Sequence, residues 1–143
     1  MEISNFRLEA GEFRKIQQIL ASLAEKTKVE AVFLINRNGQ EITRHGNSDS
    51  IDVLALSSLA ASNLAATFGL ASVIGEAEFE RIYLRGRRLS VLVCPAGEYA
   101  LLLFILKVEN EKALNIRSLR QAALVLQDVL KKCTKRINVA DEV

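Results

Sequence analysis

The sequence predicts an α+β sandwich in which a five-stranded, mainly antiparallel sheet lies between one central helix and two terminal helices. Helical periodicity of apolar residues near both ends and in the middle predicts the helices, and short strand-like segments separated by turn residues predict the sheet. The 143 residues, 50% apolar and 25% charged, suit one domain. We expect the order α-β-β-α-β-β-β-α over residues 1–137 and a flexible C-terminal tail over residues 138–143.

The terminal helices are predicted by apolar residues that recur every three or four positions, because this spacing places them on one helix face. The first helix carries Phe13, Ile16, Leu20 and Leu23. The last helix carries a longer stripe, formed by Ile116, Leu119, Ala123, Leu126, Leu130, Cys133 and Ile137. Both helices are expected to pack on the same face of the sheet.

The first two strands are predicted at residues 31–35 and from the turn at residues 38–39 to about residue 44. The other three are predicted at residues 78–84, 89–94 and 99–108. Asn38 and Gly39 form the turn of the first hairpin, because glycine readily adopts the positive φ that such a turn requires. The last two strands have apolar residues on both alternating faces, which indicates a sheet covered on both sides. The central helix must therefore cover the face that the terminal helices leave open.

The central helix is predicted from about residue 53 to residue 74, with Asp49 or Ser50 as its N-cap and Gly75 at its end. Residues 53–75 contain no charged side chain, and a stretch of this length can span a bilayer. Serine, asparagine and threonine residues interrupt its apolarity, and the flanking segments belong to the sheet. We therefore expect no membrane span.

A helical wheel divides the central helix into two faces. We expect the first face to pack on the sheet through Leu56, Leu59, Leu70, Val73 and Ile74. The opposite face is uncharged and mostly small, and it carries Leu54, Ser58, Ala61, Ala65, Phe68, Gly69 and Ser72. Helix surfaces that meet water normally carry charges, so another protein is expected to cover this face, with burial inside the chain as the alternative.

The segment 78–84 has the charge pattern of a guarded sheet edge, with Glu78, Glu80 and Arg81 in sequence. These charges are self-complementary, which also suits an antiparallel strand pair across a two-fold axis. The basic turn from Arg85 to Arg88 that follows is interpreted as a solvated hairpin, with an anion site as the alternative.

The residues that catalysis or metal binding needs are scarce. His45 is the only histidine, Cys94 and Cys133 both lie in apolar patterns, and no glycine-rich phosphate loop is present. We therefore expect no catalytic residue, no metal and no cofactor. The net charge of +2 does not predict nucleic-acid binding. The charged N-terminus is unlike a signal peptide, so a cytoplasmic location with reduced cysteines is expected.

The hairpin VFLINRNGQEI and the helix SLAASNLAATFGLASVIGE resemble the Roadblock (dynein light chain-like) family and, within it, most resemble the bacterial MglB branch. The resemblance implies a homodimer whose third strands pair edge to edge, with the two central helices side by side as a platform. It also implies a partner, a small Ras-like GTPase of the MglA type, whose GTP hydrolysis is stimulated. The GTPase supplies the catalytic groups, and the dimer positions them.

Position by position, the resemblance assigns the central helix to the GTPase and residues 78–84 to the dimer. The candidate partner-binding residues are Leu54, Ala61, Ala65, Phe68 and Gly69. The candidate dimer residues are Glu78, Glu80, Arg81, Ile82 and Leu84. The alternative function is a dimeric scaffold that anchors a GTPase or motor complex without activating it, and an enzyme is a third, weaker hypothesis.

Overall fold

The computed structural model describes the backbone of residues 2–3 and 6–141 and the side chains of residues 7–133. Helix α1 spans Ala10–Thr27, α2 spans Val53–Val73 and α3 spans Ile116–Asp141. The strands are β1 (Glu2–Ile3), β2 (Phe6–Arg7), β3 (Ala31–Asn36), β4 (Glu41–Gly46), β5 (Ile82–Arg85), β6 (Leu89–Pro95) and β7 (Ala100–Lys107). A 3-10 helix, Val108–Ala113, connects β7 to α3.

Strands β3 to β7 form one five-stranded sheet in the order β4-β3-β7-β6-β5, and every neighbouring pair is antiparallel. Strand β7 lies at the centre, where Leu103 is the partner of Phe33 on β3 and of Val93 on β6. Strands β4 and β5 are the two edges. Strands β1 and β2 form a separate small hairpin, which the sequence patterns did not predict.

The two faces of the sheet support two separate cores, as the alternation of apolar residues predicts. On one face α1 and α3 pack Ile16, Leu20 and Leu126 against strand residues that include Phe104. On the other face α2 packs against strand residues that include Phe33, Val93, Leu101 and Leu103. The predicted sandwich, with the central helix on one face and the terminal helices on the other, is confirmed.

Several predicted boundaries were wrong. Strand β5 begins at Ile82 rather than at residue 78, and the N-cap of α2 is Asp52 rather than Asp49 or Ser50. The Asp52 side chain accepts a 3.0 Å hydrogen bond from the backbone N–H of Ala55, which satisfies one of the free donors of the first turn. Helix α3 continues past residue 137 to Asp141, whereas residues 142–143 lie outside the described residues, so the flexible tail stays a prediction.

The close pairing of β3 and β4 requires glycine at position 46. Gly46 has φ +109°, and a Cβ there would collide with the carbonyl oxygen of Glu30 and lie 2.8 Å from the Cα of Ala31. Gly75, which follows the C-cap of α2, has a similar φ of +82° but no atom within 4 Å of the same position. A side chain at position 46 would therefore meet both backbone strain and a steric collision, whereas a side chain at position 75 would meet backbone strain alone.

We predict that Gly46→Ala lowers the free energy of unfolding by about 3 kcal/mol or more, because strain and collision add. The matched variant Gly75→Ala should cost only about 1 kcal/mol, from strain alone. Urea unfolding at equal protein concentrations measures both. Equal losses in the two variants would contradict the close approach of Gly46 to β3.

Candidate functional site

Helix α2 packs on the sheet through a narrow stripe of mostly small residues. Ser57, Ala60, Leu64 and Ala71 are its buried residues. The approach is close at the β3–β4 turn, where a Cβ on Gly39 would lie 3.0 Å from the Cα of Ser58. The small side chains therefore bring the helix backbone near the sheet, and little space remains beneath the helix for large side chains.

The predicted core face of α2 was largely wrong. Leu59, Leu70, Val73 and Ile74 are exposed, Val73 to 83%, and only Leu56 is partly buried against the core. The physical reason is the close approach of the helix, which favours small side chains underneath and places large ones at the flanks. Exposed aliphatic side chains on several turns of one helix form a surface of the kind that binds other proteins.

The second predicted face is exposed at four of its five candidate partner-binding positions. Leu54 is 78% exposed, Phe68 is 53% exposed, and Ala65 and Gly69 also lie at the surface. Ala61 is different, because it is half-buried and packs beside Gly39. A Cβ on Gly69 would meet no atom within 4 Å, so nothing packs closely against this glycine in the described part of the chain.

The two flanks of α2 face different parts of the domain. Ser58 and Ala61 lie beside Gly39 in the β3–β4 turn, so their flank faces the β3–β4 hairpin, which contains the edge strand β4. The helical period places Leu54, Ala65 and Phe68 on this same flank, with Gly69 near its outer border. We call the surface formed by Leu54, Ala65, Phe68 and Gly69 the β4-side surface.

The opposite flank of α2 faces away from the β3–β4 hairpin, and the helical period places Leu59, Leu70 and Ile74 on it. On the same face of the sheet, β5 and β6 expose Leu84 and Leu89. Leu84 is the register partner of Val91, and Val91 packs against the core between α2 and the sheet, which we call the α2-side core. Leu84 therefore lies on the same face of the sheet as α2. We call the surface formed by Leu59, Leu70, Ile74, Leu84 and Leu89 the β5-side surface.

Length and composition would also allow α2 to cross a membrane, and only 17% of its most apolar window is buried. However, the helix is capped by Asp52 and packs Leu64 into the α2-side core. A membrane span would have to detach this helix from the sheet and expose the apolar face beneath it to water. Contact with another protein surface satisfies the same exposed side chains without disrupting the fold.

The candidate dimer residues lie at or just before the edge strand. Ile82 and Leu84 are in β5, whereas Glu78, Glu80 and Arg81 precede it. Ile82 is partly buried against the α2-side core, and Leu84 is 51% exposed. An edge strand with an exposed apolar residue is available for pairing with another strand.

The connection from α2 to β5 is held in place by Arg37. Its Nη1 donates to Glu78 Oε1 at 2.7 Å, and its Nη2 donates to the carbonyl oxygen of Gly97 at 2.5 Å. One guanidinium therefore joins the β3–β4 turn, the β6–β7 turn and the segment before β5. This tether fixes the position of Glu78, four residues before the strand begins.

Glu80 is held by two arginines on one carboxylate oxygen. Arg120 Nη2 lies 2.6 Å and Arg81 Nη1 lies 3.2 Å from Glu80 Oε1, and Arg120 Nε donates to the same atom at 2.8 Å. The hydrogen bond from Arg120 lowers the pKa of the Glu80 carboxyl, so it is ionised at neutral pH. The residue is exposed, with 56% of its side chain accessible to solvent.

The cysteines are core residues, as their apolar sequence patterns predict. Cys94 is 4% exposed and Cys133 is fully buried. Burial raises the pKa of the Cys94 thiol to about 12, so the nucleophilic thiolate is strongly disfavoured at neutral pH. His45 is exposed, and the described residues contain no group of three potential metal ligands.

Comparison with known proteins identifies the fold family. The sequence profile of the Roadblock/LC7 domain matches residues 15–106, which include both predicted functional segments. The chain belongs to the Roadblock/LC7 domain family. A sequence comparison with curated proteins gives no significant match.

Among solved structures, this Roadblock domain is similar to several MglB proteins. Myxococcus xanthus MglB is 31% identical, with a TM-score of 0.79 over 85% of this chain and 98% of that chain. An MglB with a tetrameric arrangement is 26% identical, with a TM-score of 0.80 over 93% and 99%. The gliding protein MglB from Thermus thermophilus gives a TM-score of 0.78 at 24% identity over 92% and 99%, which shows the shared fold. These similarities support a Roadblock-type regulatory role.

The β5-side surface was not predicted from the sequence. Leu59, Leu70 and Ile74 were expected in the core because large apolar residues are usually buried. The sequence feature that indicates the buried face is a stripe of small residues, Ser57, Ala60 and Ala71, which lies on the same side of the helical wheel as Leu64. A helix that packs closely on a sheet buries such a stripe of small residues. The spacing of residues in the sequence does not show whether this stripe or the stripe of large aliphatic residues faces the sheet.

We predict that Arg37→Gln speeds amide hydrogen exchange over residues 76–81 by about tenfold or more, because both contacts of the tether are lost. The matched variant Arg44→Gln removes an exposed arginine whose contact with Glu41 is 3.6 Å long, and it should leave exchange in this segment unchanged. Native-state hydrogen exchange with mass spectrometry measures both variants. An unchanged segment in Arg37→Gln would show that the backbone, rather than the tether, holds it.

We also predict slow alkylation of Cys94. A pKa of about 12 in place of the ordinary 9.0 reduces the thiolate fraction about a thousandfold near pH 8. Unfolding restores the ordinary pKa of this thiol, so the free energy of unfolding also falls as the pH rises above about 9.

The rate of alkylation is measured by iodoacetamide labelling of Cys133→Ala, which leaves Cys94 as the one cysteine, in buffer and in concentrated urea. Equal rates in the two solvents would contradict a protected thiol.

Proposed function

We propose that this Roadblock domain is a homodimeric regulator that binds a small Ras-like GTPase of the MglA type and stimulates its GTP hydrolysis. The observation that carries the proposal is the outer surface of α2, which is charge-free and exposes Leu54, Leu59, Phe68 and Leu70. Such a surface is expected to be covered by protein. The similarity to Myxococcus xanthus MglB at 31% identity supports the choice of partner.

Two apolar flanks on one helix suit two different contacts. The β5-side surface continues from α2 onto the edge strand, so a second copy that pairs β5 with β5 would cover both at once. The β4-side surface points away from that edge. In this arrangement it remains accessible in the dimer, and it is the surface that we assign to the GTPase.

The chemical character of the β4-side surface favours activation by positioning. Its residues are Leu54, Ala65, Phe68 and Gly69, none of which can stabilise the charge that develops during phosphoryl transfer. A regulator of this kind accelerates hydrolysis by holding the catalytic groups and loops of the GTPase in a productive geometry. We place this activity in the cytoplasm, where the two free cysteines remain reduced.

The decisive experiment mixes the purified chain with a GTP-loaded GTPase of the MglA type from the same source and follows phosphate release. We expect hydrolysis to accelerate by at least about tenfold, since correct positioning alone supplies large rate factors. Binding without acceleration would identify the chain as a scaffold. The absence of binding would reject this class of partner.

We predict that Ala65→Asp leaves the dimer folded but weakens GTPase binding by about a hundredfold, because a carboxylate would be buried in an apolar contact. Gly69→Arg should act in the same direction by adding both bulk and charge. The matched control is Ala10→Asp, an exposed position at the start of α1 on the other side of the sheet. Fluorescence titration with the labelled GTPase measures affinity, and sedimentation measures the oligomeric state. A monomeric Ala65→Asp would instead assign this position to the dimer contact.

A further inference from the structure

A carboxylate precedes the edge strand β5, and exposed arginines follow it. At its carboxyl end, Arg87 and Arg88 form the exposed tip of the β5–β6 hairpin, and neither has an ion pair among the described residues. Arg85 does have one, because its Nε lies 3.1 Å from Glu111 Oε2. At its amino end lies Glu80, a carboxylate that is ionised at neutral pH. A carboxylate that Arg81 and Arg120 contact therefore precedes the strand, and two arginines without an ion pair among the described residues follow it.

The two-fold symmetry of an edge-to-edge pair brings these ends together. When both copies have α2 on the same face of a continuous sheet, the axis is normal to the sheet, and residues opposite each other must point to the same face. Any register centred on one residue satisfies this condition, and the register centred on Tyr83 places Ile82 opposite Leu84, both on the α2 face. The basic tip of each copy then lies beside Glu80 of the other copy.

We infer that Arg87 and Arg88 at the hairpin tip of one copy bind Glu80 of the second copy, and that this pair of contacts sets the register of the dimer. The inference rests on the proposed homodimer and specifies how its two edges recognise each other. Symmetry repeats the contact on both sides of the axis, so each dimer contains it twice. An apolar edge alone tolerates register slips, whereas paired charges at both ends select one alignment.

The carboxylate of Glu80 can accept this additional contact. The hydrogen bond and both ion-pair distances recorded for Glu80 within the chain involve Oε1. An ionised carboxylate has about four acceptor positions and can bind several guanidinium groups. The same register brings Arg81 near Arg85, and each of these retains a carboxylate of its own chain, Glu80 and Glu111 respectively.

The test is a charge exchange in the full chain. Arg87→Glu/Arg88→Glu reverses the hairpin tip, and Glu80→Arg reverses its partner. Each variant alone should dimerise about tenfold more weakly than the wild type, because both symmetric contacts become repulsive. In a mixture, the two variants should form the heterodimer preferentially, since that combination restores attraction at both contacts. Sedimentation velocity with one variant fluorescently labelled measures both quantities.

A matched control separates this contact from net charge. Arg14→Glu/Arg117→Glu makes the same change in charge at exposed positions on α1 and α3, and it should dimerise like the wild type. The wild-type dimer should weaken as salt is raised, whereas that of the reversed tip should not. Circular dichroism verifies folding, and if Glu80→Arg does not fold, the exposed hairpin-tip variant decides the question on its own.

Three outcomes would overturn the inference. If the hairpin-tip variant dimerises as tightly as the wild type, the dimer stands but the charge contact does not form. If the two variants mix without preference for the heterodimer, the tip and Glu80 do not meet. If the wild-type chain is a monomer at high concentration, the proposed homodimer fails, and the charge contact fails with it.

Discussion

The close packing of α2 on the sheet determines which surfaces this domain can offer to other proteins. The buried stripe consists mainly of small residues, and the backbone of Ser58 lies against Gly39 at the β3–β4 turn. A helix seated this closely has little space beneath it for side chains of leucine size, apart from Leu64. Its remaining large apolar residues are therefore displaced to the two flanks, where the domain itself does not cover them.

The exposed flanks of an isolated protomer leave large apolar side chains in water. Leu54, Leu59, Phe68, Leu70, Val73 and Ile74 all have more than half of their surface in contact with water. Exposed apolar side chains on several turns of one helix are typical of a protein-binding surface rather than of a solvated helix. The same close packing that stabilises the fold thus leaves an apolar outer surface on α2, and β5 is an edge strand of the same sheet, with one side open to pairing.

The architecture could be predicted from the sequence because it depends on local signals. The hairpin turn at Gly39, the end of α2 at Gly75 and the apolar stripes of α1 and α3 each lie within one short segment. The orientation of α2 could not be predicted, because an apolar helix without charges has no polar face to orient it. The segment before β5 makes a long-range contact, between Arg37 and Glu78, which are 41 positions apart, and no local pattern reveals such a contact.

The tether at Arg37 also links the two proposed surfaces mechanically. Helix α2 contributes to both, and the segment that leaves α2 is held at Glu78 before the chain enters the edge strand β5. A partner that shifts α2 would therefore have to move or break this contact in order to leave β5 in place. A single 2.7 Å charge-assisted hydrogen bond, supported by the contact of Arg37 with Gly97, favours the two elements moving as one unit. Such rigidity suits a regulator that acts by positioning its partner, because loosely held contacts would lose the geometric precision on which that form of catalysis depends.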